Sequence, residues 1–246
     1  MNNKIRKIFK LSAIVSLILV CLGCSKQDVP LPEQPTLTVI DADGNSYHTI
    51  EIGNQIWMVE NLKTTKFNDG TPISHYTFSA HGNNWGSLNN QEPFYRWADT
   101  ADLNNVVEET LTFDAYGAMY NHFAIESGKL APKGWRIPSE ADFKTLETFI
   151  ANDGNAGKEA TVLKTTTHWF ESSGNGTNLY GFNGVPNGYI STPGTATFAN
   201  GICTWATINF NTANSTRKMV QLFNQPTIIY SDNAIQLGAG IRCIQE

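Results

Sequence analysis

The stretch that decides the fold is PKGWRIPSEADFKTLETFI, residues 132–150. Pro138 sets a start, Ser139 is a capping residue, and Asp142 three positions on completes a capping box. Phe143, Leu146, Phe149 and Ile150 then fall on one side at helical spacing, so residues 139–150 are read as an amphipathic helix. Further helices are expected at about 116–126 (YGAMYNHFAIE) and near 156–164 (AGKEATVLK). Upstream the pattern changes period. Thr36 to Ile40, the Asp43-Gly44 turn, Tyr47 to Ile52, the Gly53-Asn54 turn and Gln55 to Met58 read as a three-stranded meander. From residue 165 onward the chain breaks into short strands separated by Gly and Asn, ending in Ala239-Gly240-Ile241-Arg242-Cys243-Ile244. No repeat or linker divides 38–246, which gives one α+β domain of short antiparallel sheets, two or three helices and long loops.

The N-terminus is of another kind. Residues 4–10 (KIRKIFK) are basic and 11–22 (LSAIVSLILVCL) are apolar, a run too short to span a bilayer and read as a signal peptide covering 1–23. Leu22-Gly23-Cys24 has the small residue and cysteine of a lipoprotein processing site, so Cys24 is the expected acylated residue and the lipid anchor. Residues 24–37 carry three prolines and form a tether. The expected place is the outer membrane. Only Asp28 follows Cys24 closely, so either face is open, with the cell surface favoured. With Cys21 removed and Cys24 acylated, Cys203 and Cys243 remain. In an oxidising compartment they are expected to pair, the alternative being two separate buried thiols.

Charge narrows the function classes. The chain holds 17 basic and 22 acidic side chains, a formal net charge of −5. Lys4, Arg6, Lys7 and Lys10 fall in the signal peptide without an acid, leaving 13 basic against 22 acidic, a net of −9. Nucleic acid is disfavoured as a partner, because phosphate binding draws on Lys and Arg. His48, His75, His81, His122 and His168 show no metal-ligand spacing, so no metal and no cofactor is expected. Glu126, Asp142 and Glu147 read better as capping and solvated groups than as a hydrolase pair, and no nucleophile or phosphate-loop motif occurs. Trp57, Trp97, Trp135 and Trp205 are expected in the core. Trp85 and Trp169, in polar loops, are the expected ligand-stacking residues, aided by Tyr189.

Several motifs occur in a telling order. They are Asp43-Gly44-Asn45-Ser46-Tyr47, Ile52 through Leu62 (IGNQIWMVENL), Met119-Tyr120-Asn121, Pro132 through Pro138, Leu163-Lys164 with Trp169, Gly181-Phe182-Asn183 and Ile241-Arg242-Cys243-Ile244. From about residue 38 to the end the chain resembles the Fibrobacter succinogenes major paralogous domain. That resemblance implies an exported bacterial lipoprotein without a common activity. Its Gly-Trp-Arg-Ile-Pro-Ser-Glu segment is similar to C-type lectin-like folds, and to formylglycine-generating enzymes, whose reactive cysteine pair is not evident here. Where many members carry a cysteine before Pro-x-Gly-Trp this chain has Ala131, and Cys203 is the expected substitute partner for Cys243. At the places comparable to a lectin calcium site stand Val185-Pro186-Asn187 and Trp205-Ala206-Thr207, which lack the acidic ligands, so a ligand is expected to bind without calcium. The expected function is a non-enzymatic surface binding or adhesion module for a glycan or protein. The alternative is an accessory structural subunit of a surface glycan-uptake or fimbrial complex.

Overall fold

The computed structural model describes residues 38–87, 92–97 and 113–246. The expected signal peptide, Cys24 and the expected tether lie outside the described residues, and no described helix is long and apolar enough to cross a membrane. Chain order is β1 (Val39–Ile40), β2 (Ser46–Tyr47), β3 (Thr49–Ile52), β4 (Gln55–Met58), β5 (Ser74–His75), α1 (Phe78–His81), β6 (Phe94–Trp97), α2 (Phe113–Tyr116), β7 (Ala118–Tyr120) and α3 (His122–Glu126). There follow β8 (Trp135–Arg136), α4 (Glu140–Ile150), α5 (Glu159–Leu163), β9 (Tyr189–Ile190), β10 (Ala196–Thr197), β11 (Cys203–Asn211), β12 (Thr216–Leu222), β13 (Ile229–Ala234) and β14 (Ile244–Gln245). The result is a mixed α+β unit of short sheets, nearly all antiparallel; β5 runs parallel to β6.

Helix α4 follows the sequence closely. Ser139 Oγ accepts the Asp142 amide, and the Asp142 carboxylate accepts the Ser139 amide at 2.7 Å. Arg136 donates both arms of its fork to the same carboxylate, at 2.7 and 2.8 Å. The helix buries Phe143, Leu146 and Ile150, each worth about 2 kcal/mol in apolar transfer. Phe149 instead stays 37% exposed, its ring over Gly53. Phe143 meets Trp57 at 5.0 Å between ring centroids and Trp205 at 5.9 Å, and Phe182 closes the same aromatic nest.

Two expectations are corrected. The meander is two hairpins, because the strand through residues 46–52 changes partner at His48: β2 pairs with β1, while β3 pairs with β4. Tyr47 is drawn inward, its hydroxyl donating to Asp41 at 2.6 Å, whereas the outer edge of β4 is taken by β14. The helix expected over 116–126 is a short helix, a strand and another short helix. Gly117 breaks it with φ +77, where a Cβ would lie 2.6 Å from the Asn61 Cβ, and Ala118, Met119 and Tyr120 are all buried. Asn121 then caps α3 by accepting the Ala124 amide.

The C-terminal segment ties the sheets together. Gly238 bridges to Ile190, Ala239 to Tyr120 and Gly240 to Trp205, and Ile244 pairs with both Trp57 and Arg136. Glycine is required by the packing at 238, since a Cβ there would sit 2.5 Å from the Trp85 ring.

Candidate functional site

A cleft of about 300 Å³ opens where this C-terminal segment meets the loops after β4 and α5. Arg242 forms its floor and is fully buried, between Ile241 and Cys243, which are buried as well. Its Nε and Nη2 donate to Asn61 Oδ1 at 3.0 and 2.9 Å. Nη1 donates to the carbonyls of Phe182 (2.6 Å), Met58 and Val59, and Nη2 also to that of Asn183. Every acceptor is neutral. The guanidinium also lies 4.9 Å from the Phe182 ring and 5.2 Å from that of Trp205. Burial lowers its pKa to about 10, so it stays charged at neutral pH.

The walls mix hydrogen-bonding groups, Thr165, Thr166, Thr167, His168, Asn178 and Asn183 with Glu60 beside Asn61, and the apolar side chains of Val59, Ala115 and Val185. Glu60 is turned toward His48, whose amide and Nδ1 it meets at 2.8 and 2.7 Å. Asn178 Oδ1 accepts the Asn183 amide at 2.7 Å, which fixes one wall. Three of the six described non-glycine residues with positive φ line this cleft: His168 (+73), Asn178 (+48) and Asn183 (+59). Such conformations cost about 1–3 kcal/mol each, less for Asn, and gather where a ligand is clamped.

The chain matches the Fibrobacter succinogenes major domain over residues 50–245. It belongs to that family. A comparison with curated proteins and one with solved structures each find no match. In this member of the Fibrobacter succinogenes major domain family, Gly53, Trp57, Asn61, Trp135, Phe182 and Arg242 are the residues of hairpin, core and cleft floor. The ordered motifs therefore map onto one connected piece of structure.

The expected site residues fare differently. Trp85 is 3% exposed and packs on the backbone of Gly238. Trp169 is 7% exposed, donates its indole N–H to Thr165 Oγ1 at 3.0 Å, and covers the ammonium of Lys164. Neither is an exposed stacking face; a loop tryptophan buries its large apolar area wherever the backbone beneath leaves room. Tyr189 remains half-buried, its ring beside that of exposed Phe198.

The expected disulfide is also corrected. Cys203 and Cys243 are free, buried thiols, Cys203 in the core beneath α4 and Cys243 in the core around Tyr47 and Tyr120. Both feel the charge of Arg242, and burial outweighs it, pushing Cys243 up to about 12 and Cys203 higher still. Val185 and Ala206 are buried carbon side chains, and the Asn187 amide is consumed by the Thr204 backbone on both sides.

The acids weighed against a hydrolase pair are engaged structurally. Asp142 caps α4, Glu126 accepts from Arg217, and Glu147 meets Lys144 and Tyr230. Among the described residues no three His, Cys, Asp or Glu side chains are grouped to hold a metal. Sequence reading missed the buried cations Arg96, Arg242, Arg217 and Lys164. For Arg242 a signal existed, since a lone arginine inside Ile-Arg-Cys-Ile has apolar neighbours on both sides.

Proposed function

We propose that this chain is an exported lipoprotein, anchored to the outer membrane through Cys24, that acts as a non-enzymatic binding module. The cleft over Arg242 is its principal site. The observation that carries this reading is a concave pocket in which hydroxyl and amide side chains alternate with Val59, Ala115 and Val185, with left-handed backbone at three wall positions and a fully hydrogen-bonded floor. Its volume is at the small end for ligand sites, and its lining fits a compact, hydroxyl-bearing molecule the size of one sugar ring. Binding rather than turnover is favoured because the carboxylates and thiols most suited to chemistry are held by caps, ion pairs or core packing. We also propose the C-type lectin-like relationship, supported by the closure of β4 on the C-terminal β14 beneath a long loop region.

The test is a thermal-shift and calorimetric screen of mono- and disaccharides on the full-length protein in detergent micelles, without calcium. One sugar class stabilising the protein is expected. Thr167→Trp, placed at an exposed wall position, then removes that stabilisation while the ligand-free melting temperature stays within a degree or two. No response from any sugar, or equal responses from both proteins, overturns the reading.

A further inference from the structure

The loop between β10 and β11 holds an aromatic residue where backbone energetics disfavour one. Phe198 sits at φ +56 with its side chain 57% exposed. A bulky side chain in the left-handed region is a genuine outlier, and it persists only where surrounding structure overdetermines it. The surroundings here do so. The Phe198 carbonyl accepts the amides of Gly201 and Ile202, at 2.9 and 3.0 Å. Two residues on, Asn200 is also left-handed and buried, its carbonyl accepting the Phe170 amide and its side chain the Tyr116 hydroxyl. Below, Gly188 lies so close under Thr197 and Ala199 that a Cβ would strike their backbone. The turn is rigid, and apolar burial is not what holds Phe198 in it.

The exposed ring has company. Tyr189, paired across the hairpin with Thr197, lies with its ring 27° from parallel to that of Phe198 and 6.3 Å away between centroids. Half-buried Phe170 lies close by as well, since both Phe170 and Phe198 lie within 3.6 Å of the Cβ position of Gly201. The chemistry around this surface is uniform. From Ser172 to Thr216 the chain has no Asp, Glu, Lys, Arg or His. The loop thus supplies no charge to attract an ionic partner.

We infer that Tyr189 and Phe198 form a second binding surface, sharing no residue with the cleft, that stacks on the apolar face of a neutral pyranose ring in a polysaccharide. A neutral sugar is one ligand with a flat C–H face for the rings, and it needs no counter-charge. The inference goes beyond the cleft reading and does not depend on it.

The test uses full-length protein in detergent micelles against cellulose, xylan and mannan, with alginate as the acidic comparison. Wild type is expected to bind at least one of the neutral polymers, with affinity unchanged between about 50 and about 500 mM salt. Phe198→Ala and Tyr189→Ala are expected to weaken that binding about tenfold or more, equivalent to about 1.4 kcal/mol. Phe198→Gly is expected to lose binding equally yet to melt higher than Phe198→Ala, because glycine accepts positive φ without strain. Thr167→Trp, which fills the cleft, leaves polymer binding intact, which separates the two sites. Binding only to alginate, no binding to any neutral polymer, or a Phe198→Gly protein that binds as wild type does would overturn the inference. A protein partner captured at Phe198 in place of a glycan would do so too.

Discussion

Replacing Asp142 with Asn removes a charge that Arg136 and Ser139 both use. Burial alone would raise this carboxyl, but the hydrogen bonds from Arg136 and from the Ser139 hydroxyl and amide outweigh it and hold the group at about 2, against an ordinary 3.8. Each pH unit of that difference corresponds to about 1.4 kcal/mol, which sets a ceiling near 2.5 kcal/mol. The Arg136 side chain is 40% exposed and that of Asp142 15%, so solvent screens part of the pairing and the expected loss is about 1–2 kcal/mol at pH 7. The sign follows from linkage. A carboxyl lowered on folding contributes fully above its unfolded value, and its contribution disappears as pH falls from about 4 through 2. Urea unfolding of both proteins at pH 7, 4 and 2.5, followed by far-ultraviolet circular dichroism, is expected to show the difference shrinking toward zero. A loss below about 0.3 kcal/mol at pH 7, or one of the same size at all three pH values, refutes the reasoning. A catalytic acid would behave in the opposite way, with its proton held toward neutral pH.

His122 lies beside Arg217, whose Nη2 donates to its Nδ1 at 2.8 Å, and burial first and that cation second lower its pKa, with Glu126 opposing them. The folded state therefore prefers the neutral ring; stability is expected to fall as pH drops below about 6.5, and His122→Gln to flatten that slope in thermal melts between pH 7 and 5. Cys203 and Cys243 are expected to resist alkylation in the folded protein and to be fully alkylated after unfolding without reductant; peptide mapping that finds them cross-linked would contradict the structure. Gly238→Ala places a methyl 2.5 Å from the Trp85 ring and 3.0 Å from the Ile190 Cβ, for an expected loss of about 1–3 kcal/mol in urea unfolding, and a change under about 0.5 kcal/mol would show that this packing yields freely. Cys24→Ala is expected to abolish incorporation of a palmitate analogue and release the protein from membranes, and unchanged labelling would remove the proposed anchor.

The sequence by itself determined what depends on neighbours along the chain. The start of α4 at Pro138-Ser139, its capping box and its buried face are local, because a cap joins residues three apart and a helical face repeats within two turns. The family was legible for the same reason, as ordered short motifs, and so were the turn at Asp43-Gly44 and the mixed α+β class. Tertiary structure decided wherever distant segments compete for the same space. Gly117 reads as one weak break in a helical pattern, yet Asn61 and Leu62, more than fifty positions away, close in behind it and turn 118–120 into a strand. Trp85 and Trp169 looked exposed because their sequence neighbours are polar, but burial is set by what lies across space, here Gly238 for Trp85 and the core that holds Cys203 and Leu222 for Trp169. Cys203 and Cys243 looked like a pair by elimination, and the fold assigned them to different cores. Arg242 shows the limit most directly. Its acceptors come from residues 58–61 and 182–183, and only their convergence on one guanidinium creates the floor of the cleft.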